Sequence, residues 1–196
     1  MAEQILVAAR HCFAADGYAG TTLQAVARTA EVDTKLVRYY FTDKPTLFQA
    51  CISFPPDVLQ RLRGAVDVPL DQRGAAAVRA MLSAWAHPEV SLVLRTSLLI
   101  AGHEPAAMAR VKAVYSAGLI PAITAGLPED EARRRGGVIS AAMIGMAFAR
   151  FVFALDEAVA LSDQDVIDQL GATVQRYLTD PWPITAAPAS AGPPLA

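Results

Sequence analysis

The stretch from Thr21 to Lys44, TTLQAVARTAEVDTKLVRYYFTDK, constrains the fold more than any other part of the chain. It reads as helix, tight turn, helix and the start of another helix. Thr21 precedes Gln24 by three residues, a capping-box spacing that satisfies free backbone N–H groups at a helix start. Val26, Ala27 and Ala30 form the apolar side of that helix, and a turn is expected near Glu31. Asp33 is suited to cap a second helix in which Leu36 and Val37 point inward. The outer face of this second helix carries Thr34, Lys35, Arg38 and Tyr39. Two short helices, a turn between them and a partly basic second helix are the layout of a helix-turn-helix DNA reader.

The pattern extends on both sides. Ile5, Ala9, Phe13, Gly17, Tyr18, Thr21, Thr22, Val26, Ala27, Ala30, Val32, Tyr40, Phe41, Lys44 and Leu47 stand in the order and spacing of the TetR-family DNA-binding domain. Roughly the first fifty residues resemble that domain, through a distributed pattern rather than one short motif. The resemblance implies an all-α fold: an N-terminal three-helix helix-turn-helix domain and a larger C-terminal helical domain for ligand binding and dimerisation. It implies a ligand-responsive transcriptional regulator, a repressor released from a palindromic operator by a small apolar or amphipathic effector. The partners it implies are double-stranded operator DNA, a second copy of the chain as a homodimer, and a small-molecule effector.

Carried over position by position, the resemblance places Lys35, Leu36, Arg38 and Tyr39 on the helix that enters a major groove. Arg38 or Lys35 suits guanine O6 and N7, and Thr34 and Tyr39 suit bases or thymine methyls. Thr22, Tyr40 and Lys44 match phosphate contacts, with Lys44 at a helix start where the dipole also favours phosphate. Three positions depart from the family's habit. Glu31 stands where Gly is common, Lys35 where Gly or a small residue is frequent, and Arg38 where a Tyr often meets phosphate.

Charge adds little by amount. The formal net charge is −2, and in residues 1–48 Arg10, Arg28, Lys35, Arg38 and Lys44 are balanced by Glu3, Asp16, Glu31, Asp33 and Asp43. DNA binding must rest on where the positive groups sit. Cys12 and Cys51 both lie in apolar helical patterns, which suits buried free thiols. Glu3 and Arg10 in the opening helical pattern argue against a secretory signal, so a bacterial cytoplasmic location is expected. Three histidines and two cysteines without metal-ligand spacing give no expectation of a metal or cofactor. A Gly-rich phosphate loop after a strand, a nucleophile elbow and a recognisable carboxylate pair are all absent, so no enzymatic activity is expected.

Along the chain, residues 2–15 read as a first helix ended by Gly17, and Asp43 starts a fourth with Pro45 in its first turn. Phe54-Pro55-Pro56 is a strong break. The expected domains are 1–48 for DNA reading, 49–180 for sensing and dimerisation, and a disordered 181–196 rich in Pro, Ala, Gly and Ser. Helices are expected over 57–66, 71–86, from Pro88 to a close at Gly102, over 105–125 with a kink at Pro121, from Pro128 to about Leu161, and from an Asp163 cap to Leu178.

Gly136 to Leu155 is apolar all round, long enough for a bilayer, but Arg150 interrupts it and Arg133, Arg134 and Arg135 precede it. A buried helix is the expectation, with no membrane partner. Gly137, Ala141, Gly145 and Ala149 recur every four residues, a strip that admits another helix closely. With Ile167, Leu170 and Val174 from the last helix, this strip is the expected dimer interface, as a four-helix bundle. The effector pocket is expected among Met81, Trp85, Met108, Tyr115, Met143, Met146 and Phe148, although core packing explains the same residues. The second functional reading is an all-helical interaction protein that has lost operator binding.

Overall fold

The computed structural model describes residues 1–53, 56–100 and 105–182. The Phe54-Pro55 break, the closure at Gly102 and the tail beyond Trp182 lie outside the described residues. The described chain is helical throughout, without a strand. The first four helices are α1 (Ala2–Gly20), α2 (Leu23–Thr29), α3 (Thr34–Tyr40) and α4 (Lys44–Cys51). They close around one core in which Ile5, Phe13, Val26, Val37, Leu47 and Ile52 are buried. Phe13, Tyr18 and Phe48 make its aromatic centre, with Phe48 edge-on to Phe13 at 5.0 Å and to Tyr18 at 4.9 Å. The core therefore runs through the whole of α4.

Local chemistry explains the boundaries. Gly17 adopts φ 69° inside α1, the left-handed conformation that glycine enters without steric cost, and breaks the helix there. The capping expectation at Thr21 is corrected. Thr21 is buried and its hydroxyl donates to the Gly17 carbonyl at 2.8 Å, closing α1. The next residue, Thr22, caps α2 by accepting from Ala25 N–H at 3.1 Å. Asp33 and Asp43 cap α3 and α4 as expected, accepting from the N–H groups of Lys35 and Thr46.

The body begins with α5 (Pro56–Ala65) and a 3-10 turn at Leu70–Gln72, followed by α6 (Arg73–Ala86), α7 (Pro88–Ile100) and α8 (Pro105–Ala113). It continues through α9 (Ile120–Ile123), α10 (Glu129–Ala147), α11 (Asp156–Ala160) and α12 (Asp163–Thr179). Its core is separate from the first, and includes Val78, Trp85, Ile123, Ile139, Met143 and Leu178. The helix pair with the most extensive contact is α6 with α12, while α7 also packs against α1 of the N-terminal unit. The expected faces of α6, with Val78, Met81, Leu82 and Trp85 inward, are all buried.

Two expected helices differ in form. The 105–125 helix passes through a π segment at Val114–Leu119 just before Pro121. Proline has no N–H for the regular ladder and crowds the preceding turn, so the bonds shift to a wider register. The helix from Pro128 does not reach Leu161. It widens at Phe148–Val152, where Phe153 N–H reaches Phe148 O, and ends as Ala154 turns to φ 51°. The short α11 follows. Its last carbonyls are held by Arg150, which donates to Ala158 O at 2.8 Å and Leu161 O at 2.6 Å and pairs with Asp163 at 2.9 Å. The residue expected to interrupt the apolar run is the clamp that folds the chain back. The cap of α12 is Ser162 rather than Asp163, in a reciprocal capping box with Asp165.

Arginines close two other helix ends. Arg73 donates to the carbonyls of Val68, Ile123 and Ala125. Arg135, buried, donates to Tyr177 O at 2.8 Å and Asp180 O at 2.9 Å while pairing with Glu131. Cations on the carbonyl end of a helix satisfy its orphan acceptors and oppose its dipole.

Candidate nucleic-acid interface

Helix α3 is held by one buried anchor and one capped end. Val37 is fully buried in the N-terminal core, and Asp33 fixes the first turn. With Val37 inward, residues 35, 38 and 39 fall together on the opposite face, as the three- and four-residue spacing requires. Lys35, Arg38, Tyr39 and Tyr40 are exposed, Tyr39 at 79%, while Thr34 and Leu36 are half-buried at the flanks. The Tyr39 and Tyr40 rings meet edge to face at 5.2 Å, which fixes both beside the cations. Seven residues make a rod about 10 Å long, and its width matches a major groove of about 12 Å.

The balanced charge of the first 48 residues separates in space. Arg10 is buried, paired with Glu3 at 3.1 Å and donating to Cys51 O at 3.1 Å, so it belongs to the scaffold. Asp33 and Asp43 spend their carboxylates on helix N–H groups. Hydrogen bonding to Thr46 holds the Asp43 carboxyl below the usual aspartate range. Lys35 and Arg38 keep their charge on the outer surface, without an ion pair among the described residues.

Two phosphate-contact expectations meet a different setting. Lys44 does not extend freely. Its ammonium lies 4.5 Å over the Tyr18 ring and donates to Ala19 O at 3.3 Å, stapling the end of α1 to the start of α4. The N–H of Thr46 is taken by Asp43 at 2.8 Å, so the start of α4 already holds a carboxylate. Thr22 remains exposed at the cap of α2. Glu31 holds the turn between α2 and α3 at φ 53°, a conformation that favours glycine. A glycine would enter that conformation without steric cost.

The expected effector residues are set apart from the cavities formed by the described residues. Met81, Trp85 and Met143 are buried in the body's core, and Met146 and Phe148 pack against it. Trp85 stacks on Phe151 at 4.8 Å with planes 7° apart. Met108 is exposed, and the side chain of Tyr115 lies outside the described residues. None of these lines the described cavities. One groove of about 280 Å³ instead follows the seam of α5 and α6, and another of about 360 Å³ lies between α1 and α7. Thr96 and Ser97 on α7 are buried with hydroxyls that find no partner among the described residues. A hydroxyl inside an apolar helical face is the only sequence signal that points to either residue.

The interface expectation for α12 is corrected in part. Val174 is fully buried, facing the body's own core rather than outward. Ile167 and Leu170 stay half-buried. On α10, Ile139, Met143 and Ala147 turn inward, while Gly137, Ala141 and Gly145 are exposed and Ala149 is half-buried. A Cβ at Gly137 or Gly145 would meet nothing within 4 Å. The 24-residue run Glu129–Val152 is apolar enough to span a membrane by length, but only 28% of its most apolar window is buried. Within one chain α10 has an inner face and an open one.

A capped, core-anchored helix presenting cations and tyrosines on an all-helical body defines a helix-turn-helix DNA-binding protein. Residues 5–51 match the family of bacterial regulatory proteins described as tetR, and residues 71–178 match the tetracyclin repressor-like C-terminal domain. The chain belongs to the TetR family of transcriptional regulators. A TetR-family regulator from Streptomyces coelicolor A3 is 30% identical, with TM-score 0.60 over 91% of this chain and 94% of that one. At fold level the chain also resembles NalD of Pseudomonas aeruginosa, a secondary repressor of the MexAB-OprM multidrug efflux pump (22% identity, TM-score 0.63, 92% and 98% covered). The multidrug-binding protein EbrR, solved with malachite green, shares that fold too (17% identity, TM-score 0.63, 91% and 98% covered). No curated protein matches.

Proposed function

We propose that this regulator is a homodimeric repressor that reads a palindromic operator with α3 and leaves it when a small effector binds the body. The observation that carries the DNA half is the exposure of Lys35, Arg38 and Tyr39 around a fully buried Val37. Arg38 reads a base edge and Lys35 supports it, while Thr34, Leu36 and Tyr40 border the groove and Thr22 meets phosphate. Lys44 acts on phosphate only by leaving its seat on Tyr18, so its main effect is to hold the head in shape. The division of labour follows the two cores, with the reading head at about residues 1–52 and sensing and pairing beyond it.

Pairing is supported by the open strip of Gly137, Ala141 and Gly145 on a helix whose apolar surface is largely uncovered. Two such heads fit DNA when they stand about 34–36 Å apart, one helical turn. An effector that prefers another separation lowers operator affinity by its ratio of affinities for the two states. The contact of α7 with α1 gives the body a direct mechanical hold on the head.

Binding-site selection on random duplexes tests the reading. A repressor of this kind recovers a palindrome whose binding weakens with salt. Recovery of no sequence, or binding indifferent to salt, favours an interaction protein instead. Gly145→Leu places a bulky side chain in the open strip and should convert dimers to monomers in sedimentation; an unchanged mass removes the strip from the interface.

A further inference from the structure

We infer that the groove between α5 and α6 is the seat of a linear amphipathic anion, a medium-chain alkyl carboxylate, and this rests on the ligand-responsive reading above. Helix α6 lays down two parallel rows along the groove. Ala76, Ala80 and Ala84, four residues apart, form a floor without bulk. Arg79 and Ser83 repeat the same spacing along one rim, and His87 follows just past the helix end. The helical rise from Ala76 to Ala84 makes the floor about 12 Å long, the extended length of roughly ten carbons. From the facing helix, Val58 and Leu62 continue the apolar lining.

The groove's volume of about 280 Å³ sits at the small end of the ~300–1,000 Å³ typical of ligand sites, which suits a thin chain. Charge sets the sign of the ligand's head. Among the described residues lining the groove none is acidic, although the chain as a whole carries a net −2. Arg79 is exposed and makes no ion pair or hydrogen bond with any described residue. A planar guanidinium without a carboxylate of its own is suited to take one bidentately. An alkyl tail on the alanine floor with its carboxylate on Arg79 satisfies both parts of the groove at once. The lining also includes Val90 near the start of α7, the helix that touches the reading head, so occupancy has a short route to α3.

Calorimetric titration of the full chain with decanoate, decanol and decyltrimethylammonium, each below its micelle concentration, tests this. Decanoate should bind, decanol about tenfold more weakly, and the cation not measurably. Arg79→Ala should reduce decanoate affinity about tenfold while sparing decanol. Ser83→Glu, on the exposed rim where folding is not at stake, should abolish decanoate binding and admit the cation. Equal binding of decanoate and decanol, no binding of decanoate, or indifference to both substitutions overturns the assignment. Operator binding by the wild-type chain is measured alongside. A chain that shifts its operator but ignores decanoate loses this site and keeps its role as a regulator. A chain that binds decanoate but no operator keeps the site and loses the reading beneath it.

Discussion

In the reading head, Phe13, Tyr18 and Phe48 interlock at the centre, and both aspartate caps are filled by backbone N–H groups. In the body, α10 leaves Gly137, Ala141 and Gly145 uncovered, two helices slip into π register, and the hydroxyls of Thr96 and Ser97 are buried without a partner among the described residues. The head is satisfied by its own atoms. The body is not. A surface that must deliver a fixed rod to DNA gains from completeness, because any slack in the scaffold blurs base readout. A body that answers a ligand, and that we propose also meets a second copy, needs groups left open for them, and low local stability accompanies such regions.

The largest expected effect probes the head's closure. Phe13→Ala should lower unfolding free energy by about 3–5 kcal/mol in urea titration, because it empties a fully buried aromatic site. A loss below about 1 kcal/mol would mean that the head is no tighter than the body. Next, Arg38→Ala should weaken operator binding by about 1–3 kcal/mol while leaving the urea midpoint in place. An equal loss on random DNA would reassign Arg38 to the phosphate backbone.

Below that, Thr96→Val removes a buried hydroxyl that has no described partner and should raise thermal stability by about 1 kcal/mol. A fall instead would show that the hydroxyl is already bonded, and the contrast between head and body would narrow. The smallest effect is in the head's own imperfection. Glu31→Gly should stabilise by about 0.5 kcal/mol by relieving the left-handed turn, checked by thermal denaturation; destabilisation would show that the Glu31 side chain contributes more than its backbone costs.

The same asymmetry governs what the sequence reveals. Asp33, Asp43 and Gly17 act within a few residues of themselves, so their caps and turn are readable from spacing alone. Thr21 and Thr22 show the limit. Adjacent threonines offer the same cap, and only the packing of α1 decides which is buried. The side chains of α3 are legible as a face because one buried valine fixes the rotation of the whole helix. In the body, Met81, Trp85 and Met143 look the same whether they line a cavity or fill a core, since apolar periodicity reports burial and not what does the burying. The α5–α6 groove escaped for the complementary reason: its floor is alanine, which carries no signal until the facing helix is placed. The stop at Val152 was likewise hidden, because Arg150 acts on carbonyls 8 and 11 residues further on.

One contact in the body has a mechanical meaning. Gly74 faces Gly171 so closely that no Cβ fits between α6 and α12, and Gln175 sews the seam by accepting from Gly74 N–H and donating to Leu70 O. Main chain rests on main chain there, with no rotamers in between to absorb a displacement. The two helices form a single beam, with the α5–α6 groove along one edge. A push delivered on the α5 side therefore reaches α12 through main chain alone.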